Sequence, residues 1–413
     1  MTESVVVVGS GQGGFQLAAS LRDEGFGGRI VILGEEPGHP YQRPPLSKAY
    51  LTGKSDADAL RLRAAGFYAE QRIEVREPER VVAIERDARQ VRLGSGEALP
   101  YTHLVLATGA RNRALPVPGA ELDGVVELRT MAHADAIRAR LAGARRAVVI
   151  GAGFIGLEFA AVAAGLGLDV TVVEATGRPM ARALSLPTSR FFAETHGRAG
   201  IRFVFGGTAT RVTEEAGRAA GVETADGHHL AADLVLVAIG VVPNVELAAE
   251  AGLAVENGIV ADERLATADP AISAIGDCVA YPSAFADGRR TRLESVQNAV
   301  DGARCVAARI AGRAAPFRAV PWFWSDQGPL KLQIAGLTIP HDTTVIRGDP
   351  ASGAFSVFCY EGERMLGVES VNRPADHMIA RRLMASGLGI RPDEAADAGL
   401  DLKARAQSLL KAG

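Results

Sequence analysis

The residues whose types and spacing most plainly suit chemistry are two glycine triplets. Gly9-Ser10-Gly11-Gln12-Gly13-Gly14 follows the apolar run VVVV and precedes FQLAASLRDEG, so a G-x-G-x-x-G stands between a predicted strand and a predicted helix. Such glycines permit a tight turn, let backbone N–H groups approach a pyrophosphate, and point a helix N-terminus at its negative charge. Glu35 follows the next apolar run, IVIL, at the place where a carboxylate accepts hydrogen bonds from ribose hydroxyls. The pattern returns 142 residues later as Gly151-Ala152-Gly153-Phe154-Ile155-Gly156, with Glu174 closing its second strand. Two complete fingerprints imply two bound dinucleotides. Glu174 suits an adenosine 2′-hydroxyl and repels a 2′-phosphate, so NADH is expected over NADPH, with Arg178 the residue that argues the other way.

Other chemistries find little support. Cys278, Cys305 and Cys359 form no C-x-x-C and lie too far apart in sequence to suggest a metal cage, and no cysteine precedes Cys278. A redox dithiol after the first fingerprint is therefore excluded. The eight histidines form no metal-like cluster, and His228-His229 sits in a predicted hairpin turn, ADGHHL. No metal site is expected.

The elements that must position the glycines belong to a large globular chain. Its 413 residues are 47% hydrophobic and 23% charged, which fits two or three domains. The net charge is −3, so nothing global draws it to nucleic acid or an anionic membrane. Forty of its 45 basic residues are arginine, a compositional habit that discounts arginine clusters. The N-terminal apolar run has no positive leader and is broken by glycines, so it reads as neither signal peptide nor membrane span. With so few cysteines, the cytoplasm is the expected compartment.

Two further segments, YTHLVLATGARNRALPVPG (101–119) and ADLVLVAIGVVPNVEL (232–247), are each a buried strand ending in glycine with proline close behind. They mark where the chain leaves one nucleotide domain and returns to it. The expected fold is α/β, with two Rossmann-like dinucleotide-binding domains, one inserted in the other, plus a C-terminal α+β domain. The first domain spans 1–108 and 242–315, the second 109–241, and the third 316–413. In the third, LKLQIAGL, TTVIRG, AFSVFCYEG and RMLGVESVN read as strands of an antiparallel sheet, and ADHMIARRLMA and LDLKARAQSLLKAG as helices.

The segments RPPLSKAYL, LRTMAHA, GAGFIGLE, AISAIGDC, RLESVQNA, PWFWSDQ and VNRP, in that order, resemble the FAD-dependent ferredoxin reductases of oxygenase systems nearly end to end. The resemblance assigns the first fingerprint (Gly9, Gly11, Gly13, Gly14) and Glu35 to FAD, and implies that Lys48, Val81, Arg129, Asp277 and Val296 complete that site. Gly151, Gly153, Gly156, Glu174 and Gly240 are assigned to NADH. Asp277 ends a strand, where a carboxylate suits ribityl hydroxyls, and Val296 stands near the start of a helix whose N–H groups suit an anionic flavin edge. The resemblance further implies a Lys48–Glu158 ion pair beside the isoalloxazine, with Lys48, Glu158 and Trp324 in the catalytic set and Trp322 packed inside.

The implied activity carries electrons from NADH through FAD, one at a time, to a [2Fe-2S] ferredoxin that serves a mono- or dioxygenase. Arg63 and Arg304 are the family-matched candidates for the ferredoxin dock. A rubredoxin reductase or an NADH oxidase is the alternative reading, and a redox-controlled interaction protein like apoptosis-inducing factor the more remote one.

Overall fold

Val5, Val6 and Val7 have no exposed surface, and neither have Ile30, Val31 and Ile32. A strand covered on both faces cannot alternate polar with apolar residues, and such runs build parallel sheets with helices on each side. In the computed structural model, which describes residues 3–412, they do so twice.

The first compact unit comprises the chain up to Gln42, then Asp58–Arg111 and Val242–Pro321. Its parallel sheet runs Ile272–Ala274, His103–Leu106, Ser4–Val8, Arg29–Leu33, Ile73–Arg76. Between the strands Ile73–Arg76 and His103–Leu106 the chain makes a three-stranded antiparallel sheet, Val81–Glu85, Gln90–Leu93 and Ala98–Pro100. The second unit comprises Arg43–Ala57, Asn112–Val241 and the chain from Trp322 onward. Its parallel sheet repeats the plan as Arg202–Phe205, Asp169–Glu174, Arg146–Ile150, Leu234–Val237, Val125–Val126. Here too a three-stranded antiparallel sheet, Ala209–Glu215, Arg218–Thr224 and His229–Ala231, fills the corresponding gap. The likeness extends to single bonds. Gly9 N donates to Leu33 O and Gly151 N to Val173 O, both at 2.8 Å.

From Trp322 the second unit adds an antiparallel sheet in the order Trp322–Gln327, Leu330–Gly336, Arg364–Val371, Ala354–Glu361, Thr343–Asp349. The helix Pro374–Ala385 packs on its second and third strands. The segment WFWSDQ, which carried no element in the sequence reading, is thus an edge strand, with Trp322 and Trp324 on one face and Phe323, Ser325 and Gln327 on the other. The sheet is tied to the helix Leu186–Arg198: Phe191 meets Phe355 edge-on at 4.9 Å, and the buried Glu369 carboxylate accepts from Ser185 N (2.8 Å) and Ser185 Oγ (2.6 Å). The turn Pro44–Ser47 belongs to this unit as well. Tyr50 Oη donates to Asp135 Oδ1 (2.7 Å) and Arg43 Nη1 to Arg129 O (2.7 Å), which moors the turn to the helix Met131–Leu141 and the residues before it.

In the first unit, the helix Gln12–Asp23 is fixed at its far end by Arg22. Its guanidinium donates to the carbonyls of Gln71 (2.7 Å), Phe26 (2.5 Å), Gly28 (2.9 Å) and Arg72 (2.8 Å). Arg22→Ala strands these acceptors and is expected to cost about 2–3 kcal/mol of stability, read from the midpoint of chemical denaturation. Arg22→Lys should recover only part, since an ammonium lacks the planar fork.

Candidate active site

The first fingerprint turns sharply because the space inside it is already taken. Gly9 has φ +118°, and a Cβ there would stand 2.2 Å from Ala107 O; one on Gly14 would stand 2.0 Å from Gly9 O. Gly11 is different, since a Cβ on it would meet nothing within 4 Å. The second fingerprint repeats all three features: Gly151 (φ +104°) abuts Ala238 O, Gly156 abuts Gly151 O, and Gly153 faces open space. Each turn therefore presents a bare stretch of backbone at a helix N-terminus, and both fit a dinucleotide pyrophosphate.

Around the first cradle, several predicted residues gather at the carboxyl edge of the parallel sheet, where open α/β sheets bind ligands. Glu35 lies just beyond Leu33, its side chain 73% exposed and 3.7 Å from Arg80 Nε, so it is free to meet a ribose. Asp277 sits in the turn Gly276–Cys278, directly after the strand Ile272–Ala274. The helix Val296–Ile310 begins beside that turn: Ser295 Oγ caps it by accepting from Asn298 N (3.0 Å), and Asn298 Nδ2 donates to Gly276 O (3.2 Å). Val296 is the first residue of this helix, whose leading N–H groups have no acceptor within it. Val81 is buried and opens its antiparallel strand, two residues after Glu79, whose N–H reaches Gly34 O at 2.7 Å.

In the second unit, Glu174 already serves its own cradle. One carboxylate oxygen accepts from Ala152 N (2.8 Å), the other from Thr176 N (2.8 Å) and Thr176 Oγ1 (2.7 Å). The Arg178 guanidinium is turned back onto its own loop, donating to Leu184 O (2.8 Å) and Ala181 O (2.9 Å). Gly240 (φ +99°) follows the strand Leu234–Val237, and its carbonyl accepts from Arg113 N at 2.9 Å. Arg129 is half-buried at the mooring of Arg43.

The same unit holds the most concentrated polar cluster. Glu158 is 2% exposed on the helix Phe154–Gly165, and Lys48 Nζ stands 2.6 Å from its Oε2 with 20% of the lysine exposed. Ser47 Oγ donates to the same Oε2 (2.5 Å) and Ser325 Oγ to Oε1 (2.7 Å). Lys48 Nζ also donates to Pro44 O at 3.2 Å. Its third hydrogen has only Ser47 Oγ, at 3.5 Å, the outer limit of a bond. Sequence reasoning paired Lys48 with Glu158 but missed Ser47 and Ser325. WFWSDQ is apolar for three residues and polar for three, so no period-two pattern marks Ser325.

Trp322 and Trp324 are both partly exposed, with ring centroids 5.5 Å apart. The expectation that Trp322 packs inside is corrected: an edge-strand position leaves one face open, and the Arg381 guanidinium covers it at 4.4 Å from the ring. Behind it lies His377, 1% exposed, edge-on to Trp322 at 5.9 Å, with neither ring nitrogen hydrogen-bonded. Burial, assisted by the charge of Arg381, pushes this imidazole down to about 4.

The cysteines are free, and Cys278 is buried with its Sγ directed at Ile275 O (3.3 Å) and Leu106 O (3.5 Å); burial pushes its thiol up, away from a reactive thiolate. Among the described residues no group of His, Cys, Asp and Glu could hold a metal ion, and no helix is long and apolar enough to cross a membrane. Arg63 lies exposed over the rings of Phe15 (5.7 Å) and Phe67 (5.6 Å), while Arg304, 61% exposed, pairs with Asp301 at 3.1 Å.

Known proteins match this arrangement along the whole chain. Residues 3–303 match the pyridine nucleotide-disulphide oxidoreductase family, and residues 322–406 match the reductase C-terminal domain. Rhodocoxin reductase of Rhodococcus erythropolis is 54% identical over 400 residues, covering 97% of this chain and 93% of that protein. The crystal structure of the ferredoxin reductase for the CYP199A2 system from Rhodopseudomonas palustris is 50% identical with a TM-score of 0.96, covering 98% of this chain and 100% of that one. The covalent putidaredoxin reductase–putidaredoxin complex is 40% identical, also at 0.96, covering 100% and 99%.

The two kinds of glycine should separate on substitution. Gly11→Ala is expected to leave the apoprotein's melting unchanged while weakening FAD binding by about tenfold or more, by titration. Gly14→Ala should instead compromise folding, because a backbone carbonyl blocks its methyl. A histidine held below its free value of 6.5 favours the fold above that pH, and the contribution is lost as pH falls from 6.5 towards 4. His377→Phe should flatten the stability curve across that window by about 2 kcal/mol, measured by denaturation at pH 7 and pH 4.5.

Proposed function

Because the chain belongs to the pyridine nucleotide-disulphide oxidoreductase family, we propose how its parts divide the labour of an FAD-dependent NADH:ferredoxin oxidoreductase. That activity is what relatives of up to 54% identity carry out, and it needs the two dinucleotide cradles this chain has. Bound FAD supplies the change of currency, accepting two electrons as hydride and releasing them singly.

The observation that carries the reading is the pairing of two fingerprints with a chain whose three cysteines are all free. With no dithiol in the chain to take them, electrons from a bound flavin would go to an outside acceptor. The first cradle, with Gly9, Gly11, Gly13, Gly14, Glu35, Val81, Asp277 and Val296, holds FAD together with Lys48 and Arg129. The second, with Gly151, Gly153, Gly156, Glu174 and Gly240, holds NADH. Arg178 is spent on its own loop carbonyls, which leaves Glu174 to decide against a 2′-phosphate. The three-domain division (1–108 with 242–315, 109–241, and 316–413) follows from these assignments.

Lys48 is the residue we assign to act on the reaction. Its ammonium is anchored on Glu158 and Pro44 and keeps one N–H for negative charge that builds up as hydride arrives. Trp324 screens the flavin edge from water. The acceptor is a [2Fe-2S] ferredoxin serving an oxygenase, and the exposed guanidinium groups of Arg63 and Arg304 meet its acidic surface. Free thiols and this partner support a cytoplasmic setting.

Anaerobic assays with purified holoenzyme compare NADH-driven reduction of a [2Fe-2S] ferredoxin, a rubredoxin and a disulfide. Ferredoxin should be fastest; preference for the disulfide would defeat the proposal. Lys48→Met should bleach the flavin about ten- to a hundredfold more slowly at saturating NADH. An unchanged reductive half-reaction would remove the lysine's role.

A further inference from the structure

Beyond Ser325, the polar cluster at Glu158 continues into the interior of the second unit. Gln327 is two residues further along the same strand face, fully buried, and its Nε2 lies 3.2 Å from Ser325 Oγ and 3.6 Å from Met180 Sδ. Its Oε1 lies 2.7 Å from Nε2 of His196, which is 4% exposed on the helix Leu186–Arg198. Five side chains, His196, Gln327, Ser325, Glu158 and Lys48, thus form one unbroken hydrogen-bonded line.

The donor and acceptor inventory gives that line a direction. A thioether sulfur only accepts, so the side of the Gln327 amide facing Met180 must carry the NH₂ group. The carbonyl then faces His196, and an amide oxygen only accepts, so His196 must hold its proton on Nε2. The second amide N–H occupies a lone pair of Ser325 Oγ. The single Ser325 proton is left to go to Glu158 Oε1. Every donor in the series therefore points toward the carboxylate. Burial holds the His196 imidazole below its ordinary range, keeping it neutral, and the neutral ring satisfies the line only as the Nε2–H tautomer.

Glu158 needs this because a carboxylate can rotate. Lys48 and Ser47 both bond to Oε2, and no other side chain bonds to Oε1 but Ser325 among the described residues. With Ser325 donating, the carboxylate plane is fixed and Oε2 is held toward Lys48. If the amide of Gln327 turns over, its oxygen claims the Ser325 proton, Oε1 is left bare, and the carboxylate swings to recover a donor. His196 and Met180 together oppose this, since the His196 Nε2–H donates only to the carbonyl end of the amide and the Met180 sulfur accepts only from its NH₂ end.

We propose that His196, Gln327 and Ser325 are positioning residues, a directional relay that sets the rotation of Glu158 and through it the placing of the Lys48 ammonium. The relay rests on the reading of Lys48 as the residue at the reacting flavin, but its own geometry can be tested apart from that reading.

The chain has only five lysines, so in ¹⁵N-lysine-labelled holoenzyme the Lys48 ζ-NH₃⁺ signal is readily assigned by its loss in Lys48→Met. That signal should shift in Ser325→Ala and in His196→Phe, and return to its wild-type position in His196→Gln, whose terminal N–H replaces the Nε2 donor. ¹⁵N-histidine labelling should show His196 as the Nε2–H tautomer. In stopped-flow reduction at saturating NADH, Ser325→Ala and His196→Phe should each slow flavin bleaching about three- to tenfold with the NADH dissociation constant unchanged. The double variant should be no slower than Ser325→Ala alone, because both act through one line. A Lys48 signal that ignores His196→Phe and Ser325→Ala, an Nδ1–H tautomer, or additive losses in the double variant would each overturn the relay. Wild-type bleaching by Lys48→Met alongside a Lys48 signal that responds to His196 would instead retain the relay and remove the reading of Lys48.

Discussion

A carboxylate taken almost wholly out of water has to be paid for with donors, and in the second unit Glu158 draws them from two distant parts of the chain. Lys48 and Ser47 come from the proline-stiffened turn, Ser325 from the edge strand of the last sheet, and Glu158 itself from the first helical turns after the second fingerprint. An unpaired buried charge costs several kcal/mol, about as much as many domains have to spare. The cluster therefore constrains how the turn Pro44–Ser47, the nucleotide-binding sheet and the C-terminal sheet are joined. Together with the Tyr50–Asp135 and Arg43–Arg129 bonds it holds Arg43–Ala57 in the second unit, although that segment follows the first fingerprint in sequence.

The dinucleotide cradles obey the opposite logic. They work by having no side chain where a phosphate must approach, and their partners are backbone groups whose positions follow from a strand, a turn and a helix. Because the requirement is local, it is written locally. The two fingerprints, their acids, the parallel order of the sheets and most strands of the last domain could be read directly from the residues. The duplication is faithful enough that equivalent glycines meet equivalent carbonyls, Ala107 O and Ala238 O.

What could not be read has a common physical cause. Ser325 reaches Glu158 across 167 positions and Gln327 reaches His196 across 131, and no local pattern announces either contact. Trp322 and Trp324 stand out in WFWSDQ by type, yet the residues that join the Glu158 cluster lie on the strand's other face, where a serine and a glutamine look unremarkable in sequence. Trp322 was expected inside, next to a Trp324 assigned to the flavin. A large ring at a sheet edge can instead be covered by a guanidinium, which shields its face while both groups stay partly wet. Arg63 likewise lies against Phe15 and Phe67, so its charge is displayed from a fixed platform rather than from a freely moving side chain.

The family is described by a disulphide chemistry, yet the three cysteines of this chain are all free. A dithiol next to a flavin stores the electron pair in a covalent bond. Here Cys278, the cysteine that follows a parallel strand of the first unit, is sealed from solvent with its thiol directed at carbonyl oxygens. On the proposed reading, a reduced flavin would have to wait for an outside acceptor, and a fixed positive charge beside it would favour that state. A mobile lysine would supply that charge only part of the time, at the entropic cost of ordering a long side chain. Lys48 is instead held by Glu158 and Pro44, and Glu158 by Ser325. The hydrogen bonds of Ser47, Ser325, Gln327 and His196 thus converge on the one carboxylate that holds this ammonium group.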